Sequence, residues 1–188
     1  TFYLVEENDD EFDQVGKFEY DKKNDEYVPR VNKNGEVKTL IDNVEKGILS
    51  DGINFKENSN IIAVGGEGQA SVDGVESFIL KLSDMVGKEI AGAYFSKDGA
   101  GSTTHMSIGK YANNRFDEAN SRGHVVWNRV YPDSNLESSL TGFFHTHPNV
   151  SVSDRMRPSK LDKKSRDYDL KTYPHLQFYI LTHPEHYG

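Results

Sequence analysis

Cysteine is absent from the 188 residues. That removes disulfides, thiolate metal ligands and cysteine nucleophiles together, so any chemistry must come from histidine, carboxylates and hydroxyls. The redox compartment stays undetermined. Long apolar runs are missing too: the longest, as in Asn60-Ile-Ile-Ala-Val64, cover only a few residues, far short of the ~20 that a membrane helix needs. No basic-then-apolar stretch opens the chain, so neither a signal peptide nor a membrane span is expected. Positive charge is also scarce. With 22 Lys and Arg against 30 Asp and Glu, the net charge is −8, which repels phosphate backbones at long range and argues against nucleic acid or an anionic membrane as partner. A local basic group, Arg155, Arg157, Lys160, Lys163, Lys164 and Arg166, reads most simply as a solvated helix face.

Aromatic residues are plentiful. Ten Phe, ten Tyr and one Trp exceed what a disordered segment carries, and the length suffices for one domain or one domain with an appendage. Residues 1–73 stand apart, with the acidic run Glu6-Glu7-Asn8-Asp9-Asp10-Glu11 and hairpin-like turn chemistry at Asn32-Lys-Asn-Gly35. They read as a small acidic, β-rich leader. Gly65-Gly-Glu-Gly68 lacks the spacing and the following Lys-Ser/Thr of a phosphate loop, and reads as a flexible connection.

Residues 74–188 read as the main domain. Val75, Phe78, Ile79, Leu82, Met85 and Val86 recur at helical spacing, Asp73 and Glu76 fit a capping box, and Gly87 supplies a stop. Strands are expected at Glu89 to Ser96, His124 to Tyr131 and Leu140 to His147. A polar helix fits Ser159 to Leu170, and a buried final strand fits Leu176 to Thr182. This order implies an α/β (α+β) fold, a central mixed sheet flanked by helices. There is no internal repeat.

Gly142-Phe-Phe-His-Thr-His-Pro148 sets His145 and His147 two apart on an expected strand, so both imidazoles leave one face and can converge on an ion. Downstream, Ser159 and Asp162 stand three apart at a helix start. That spacing is itself a capping-box pattern, but capping and ligation are compatible, because both residues lie in one turn that can face the strand end. Asp162 would complete a His-His-Asp zinc site with one position open. Glu89, at the start of a neighbouring strand, could serve as the base that such a site needs. His183 and His186 read as surface residues, His105, His124 and His175 lack partners at ligand spacing, and Trp127 reads as core.

Taken jointly, Glu89-Ile-Ala-Gly92, His145-Thr-His147-Pro148 and Pro158-Ser159-Lys-Leu-Asp162 resemble the motif of the JAB/JAMM (MPN-type) metallopeptidases, over roughly residues 74–182. The resemblance implies that His145, His147 and Asp162 ligate zinc, that Glu89 is the general acid/base and that Ser159 helps hold the oxyanion. It implies cleavage of a peptide or isopeptide bond in a protein or peptide substrate. The loop 148–158 is longer than the family pattern has, and it contains a rival Ser151-Val-Ser-Asp154; the preceding Pro158 and the following helix favour Ser159 and Asp162. This loop and the Phe2-Tyr-Leu leader also resemble JAB-like toxin domains at the tips of bacterial RHS-type polymorphic toxins. That looser resemblance implies secretion as part of a larger effector, action in the target-cell cytoplasm and a cognate immunity protein. Two other readings stay open: a zinc-dependent nuclease or phosphoesterase, which also uses His/Asp clusters, and a non-catalytic MPN-type interaction module.

Overall fold

The computed structural model describes residues 2–7, 12–21, 26–29, 33–35, 39–49, 55, 58–111, 127–148 and 157–182. The chain starts with strands β1 (Phe2–Glu7), β2 (Phe12–Asp21), β3 (Glu26–Pro29) and β4 (Thr39–Glu45). Strand β2 pairs antiparallel with each of the other three, which agrees with a β-rich leader. A turn does form at 33–35, with Gly35 at φ 83. It is no hairpin tip, however, because β3 and β4 both pair with β2 rather than with each other.

Helix α1 (Val72–Val86) buries the expected stripe, with Val75, Phe78, Ile79 and Leu82 all 2% exposed or less. Full burial of each such side chain contributes about 1.5–3 kcal/mol. Gly87, at φ 63, ends the helix in the left-handed conformation that glycine adopts without strain. The start differs from the expected Asp73–Glu76 box. Ser71 is the N-cap, its Oγ accepting the Gly74 N–H at 2.9 Å. Its own N–H and hydroxyl donate to the Glu45 carboxylate at 2.6 and 2.9 Å. Glu76, now a turn inside the helix, accepts the Tyr94 hydroxyl at 2.6 Å instead. Glu45 lies so close to the helix that a side chain at Gly74 would overlap its carboxylate.

A five-stranded mixed sheet holds the rest together in the order β5-β7-β6-β8-β9, made of β5 (Asn60–Ala63), β6 (Ala91–Phe95), β7 (His105–Ile108), β8 (Leu140–Thr146) and β9 (Gln177–Leu181). Only the β8–β9 pair is parallel. With the further helices α2 (Leu136–Ser139) and α3 (Lys160–Thr172), the fold is mixed α+β as expected. Both faces of the central strands are covered. Tyr94, Met106, Ile108 and Phe144 pack toward α1, while Ala93, Phe95, Trp127 and Phe143 form a second cluster behind. Gly92 lies where any Cβ would overlap the Ser107 carbonyl and the Phe144 ring, which explains a glycine at that point of the Glu89-Ile-Ala-Gly92 stretch.

Several local expectations need correction. Residues 127–130 are helical rather than extended, with the Tyr131 N–H donating to the Trp127 carbonyl at 2.8 Å. From this helical turn Trp127 stacks on Phe95 at 4.2 Å and is wholly buried, whereas Val130 is exposed. Residues 124–126 lie outside the described set. Strand β9 is an edge strand, alternately exposed, with only Leu181 buried along it, so its apolar sequence does not mean burial on both faces. Strands β5 and β7 are additions to the expected set; β5 joins the sheet through β7 although it precedes residue 73. Gly65 to Gly68 form a turn closed by the Gly65 N–H on the Ala70 carbonyl at 2.9 Å.

Candidate metal centre

The register of β6 against β8 decides which residues meet. Ala91 lies opposite His145 and Gly92 opposite Phe144, so continuing the antiparallel pairing by two residues brings Glu89 across from His147. Alternation along β8 sends His145 to the same face as Phe143 and sends Thr146 to the face toward α1. The first turn of α3 then closes over the strand end.

That turn is fixed by its own cap. Ser159 Oγ accepts the Asp162 N–H at 3.1 Å, and the Ser159 N–H donates to Asp162 Oδ2 at 2.5 Å, a complete capping box. The cap is thus compatible with a place for the Asp162 carboxylate beside the two histidines. Asp162 Oδ1 lies 3.6 Å from His145 Nε2, Oδ2 lies 3.8 Å from His147 Nε2, and the two Nε2 atoms are 2.8 Å apart. Glu89 Oε1 lies 4.0 Å from His147 Nε2. Histidines 145 and 147 expose 5% and 9% of their side chains, Asp162 14% and Glu89 43%.

These positions suit a metal ion. Bonds of about 2.0–2.1 Å in a tetrahedron put ligand atoms about 3.3–3.4 Å apart, and the observed 2.8, 3.6 and 3.8 Å bracket that edge. His145, His147 and Asp162 form the one three-residue group among the described residues that can hold a metal ion. Burial pushes the His145 imidazole down to about 4, against the nearby Asp162 carboxylate and assisted by His147. The ring is thus neutral at pH 7, as ligation requires. Burial raises the Glu89 carboxyl above its ordinary range, with His147 opposing and Asp162 reinforcing, which moves it toward the range useful for proton transfer. The nitrogen and carboxylate donors fit zinc and other divalent transition metals alike.

Every residue expected at the site is placed around it. Ser159 serves as N-cap, next to the Asp162 carboxylate that it orients. Ser151 and Asp154, the rival pair, lie outside the described residues, as do His183 and His186. His105 is remote, at the far end of β7, bonded to Tyr131 and Thr104 at 2.8 and 2.9 Å. Beside His145 and Asp162 opens a cavity of about 300 Å³ walled by Phe143, Phe178 and Ile180, with Lys163 and Arg166 at its edge. The sequence presents Lys163 and Arg166 as part of a solvated helix face; the spacing of Arg166, four residues after Asp162 on α3, is the signal that it flanks the site. No described helix is long and apolar enough to cross a membrane. Comparison of the chain with protein-family models, with curated proteins and with solved structures gives no match.

Proposed function

We propose that this chain is a zinc-dependent hydrolase of peptide or isopeptide bonds, akin to the JAB/JAMM metallopeptidases. One observation carries the reading: His145, His147 and Asp162 converge to within ligand spacing, with the Glu89 carboxylate 4.0 Å from His147. Bound by these three residues, zinc supplies Lewis acidity toward a carbonyl and a water. Glu89, half-exposed and raised in pKa, takes the proton of the attacking water and returns it to the leaving amine. Ser159 uses its oxygen to accept the Asp162 N–H, a bond that does not consume the hydroxyl hydrogen; that hydrogen is available to the developing oxyanion. The apolar cavity beside His145 receives a substrate side chain, with Lys163 and Arg166 at its rim.

Metal analysis of purified protein, combined with unbiased peptide and isopeptide cleavage profiling, tests this reading. One zinc per chain and amide cleavage are expected. Cleavage of plasmid DNA in place of amides would assign a nuclease, and a metal-free protein after metal-replete purification would assign an interaction module. We further place the domain at the tip of a secreted bacterial polymorphic toxin, acting in the target-cell cytoplasm and held in check by an immunity protein; the long 148–158 loop and the Phe2-Tyr-Leu leader support this. Expression inside bacteria is then expected to arrest growth, and Glu89→Gln to relieve the arrest. Equal toxicity of the two would separate toxicity from this site.

A further inference from the structure

Directly behind the metal centre, Ser83 on α1 and Thr146 on β8 are each 1% exposed, and their hydroxyl oxygens are 2.6 Å apart. Buried hydroxyls are costly unless bonded, so their protons can be assigned by accounting for partners. Ser83 Oγ donates its single proton to the Lys88 carbonyl at 2.7 Å. In the Ser83–Thr146 contact Thr146 is therefore the donor. Thr146 Oγ1 in turn accepts the Ile90 N–H at 2.9 Å. The result is one directed chain, from the Ile90 amide through Thr146 and Ser83 to the Lys88 carbonyl.

The two ends of this chain are the two peptide groups that flank the Glu89 Cα. The Lys88 carbonyl belongs to the peptide before it, the Ile90 N–H to the peptide after it. Fixing both planes fixes φ and ψ of Glu89, and hence the direction in which its side chain leaves the backbone. The Thr146 N–H adds a bond to the Ile90 carbonyl at 3.0 Å. Thr146 sits between His145 and His147, so the same residue that separates the two imidazoles holds the backbone of the carboxylate across from them. We infer that Ser83 and Thr146 are positioning residues, a buried hydroxyl pair that locks Glu89 in register with the His145–His147 pair. This rests on the proposed hydrolase reading for its catalytic meaning, but not for its geometry.

Four variants test it, read by amide exchange, kinetics, zinc affinity and thermal melting. Thr146→Val removes the hydroxyl at nearly constant shape, Thr146→Ser retains it, and Ser83→Ala breaks the chain one step away from Ile90. Amide hydrogen exchange at Ile90 is expected to quicken by about 10-fold or more in Thr146→Val and also in Ser83→Ala, although Ser83 does not touch that amide. It stays near wild type in Thr146→Ser. On the zinc-loaded protein, Thr146→Val and Ser83→Ala are expected to lower kcat by about 10–100-fold, the scale of a small misplacement of a reacting group. KM and zinc affinity stay within about threefold, and Thr146→Ser restores kcat. The double variant Ser83→Ala/Thr146→Val leaves the Ile90 N–H and the Lys88 carbonyl both without a hydroxyl partner, and because the two side chains act as one chain, the kcat losses of the single variants are expected not to add. Unchanged exchange at Ile90 in Ser83→Ala overturns the inference. So does a kcat that follows Tm across the set. If wild type cleaves no amide at all, the hydrolase reading fails and the exchange data alone decide the hydroxyl pair.

Discussion

His145 reaches the metal centre from β8, a strand paired on both sides and buried along nearly its whole length, whereas Asp162 reaches it from α3, a helix with no buried residue. The strand positions its histidine by packing and sheet register. The helix positions its carboxylate by one local cap, the reciprocal bonds between Ser159 and Asp162. Rigidity at a site can thus come from a dense core or from a few short-range hydrogen bonds, and the two respond differently to mutation. Changes on the strand side mix stability with function, while changes at the exposed helix start can be separated.

Loss of a ligand should give the largest effect and erase the contrast. His145→Ala, His147→Ala and Asp162→Asn are each expected to weaken zinc binding beyond the ~10–100-fold typical of residues that only support ligands, read by competition with a chromogenic chelator. Asp154→Asn should leave affinity unchanged. Zinc lost in Asp154→Asn but kept in Asp162→Asn would shift the ligand into the 148–158 loop and Ser151 into the role given to Ser159.

Glu89→Gln comes next: metal content stays at one per chain and turnover falls by about 10²–10⁴, the share of a general base. Substitution at the helix start is expected to do less. Ser159→Ala keeps the metal and loses about 10²–10³ in turnover as an oxyanion donor, and about 1 kcal/mol of stability as an N-cap. If turnover stays intact while stability drops, Ser159 is a cap alone.

The smallest effect is a pH dependence confined to the strand side. His145 holds a folded pKa lowered from 6.5 to about 4, so between these values the unfolded chain binds the proton that the folded chain refuses. Stability of the metal-free protein contributed by this group is therefore full above about pH 6.5 and is lost as pH falls toward about 4. Thermal melts of metal-free wild type and His145→Gln across that window should converge at the acid end. Parallel curves would show that burial of His145 does not carry the dependence.

Much of this was legible in the sequence wherever one residue pattern had one physical reading. The α1 stripe announced a single buried face, and Gly87 could hardly be anything but a stop. That His145, Asp162 and Ser159 would lie close together was readable because strand alternation and first-turn geometry are local rules. Residues 127–130 read as a strand because β-branched and aromatic side chains suit a pleated surface in general, yet here Trp127 stacks on Phe95 from a helical turn. The N-cap was misplaced because its decisive partner, Glu45, is 26 residues away. Strand β7 is short and polar at one end, and its place depends on pairing with both β5 and β6, a tertiary fact with no local mark. Ser83 and Thr146 were invisible for the same reason, their meaning arising only when α1 and β8 touch.

Trimming the chain from its N-terminal side meets an obstacle well before the metal ligands. A fragment starting at Asp73 would keep Glu89, His145, His147, Ser159 and Asp162, and so would look complete on paper. It would lack Ser71, which caps α1, and the Glu45 carboxylate that grips Ser71 and fills the space over Gly74. It would also lose strand β5 and the buried Ile41, Val44 and Ile48, leaving the apolar stripe of α1 open to water. Such a fragment is expected to precipitate, whereas one that retains Thr39 onward keeps both the clamp and its apolar cover. Minimal pieces of this protein are better cut by where α1 finds its cover than by where the candidate site residues begin.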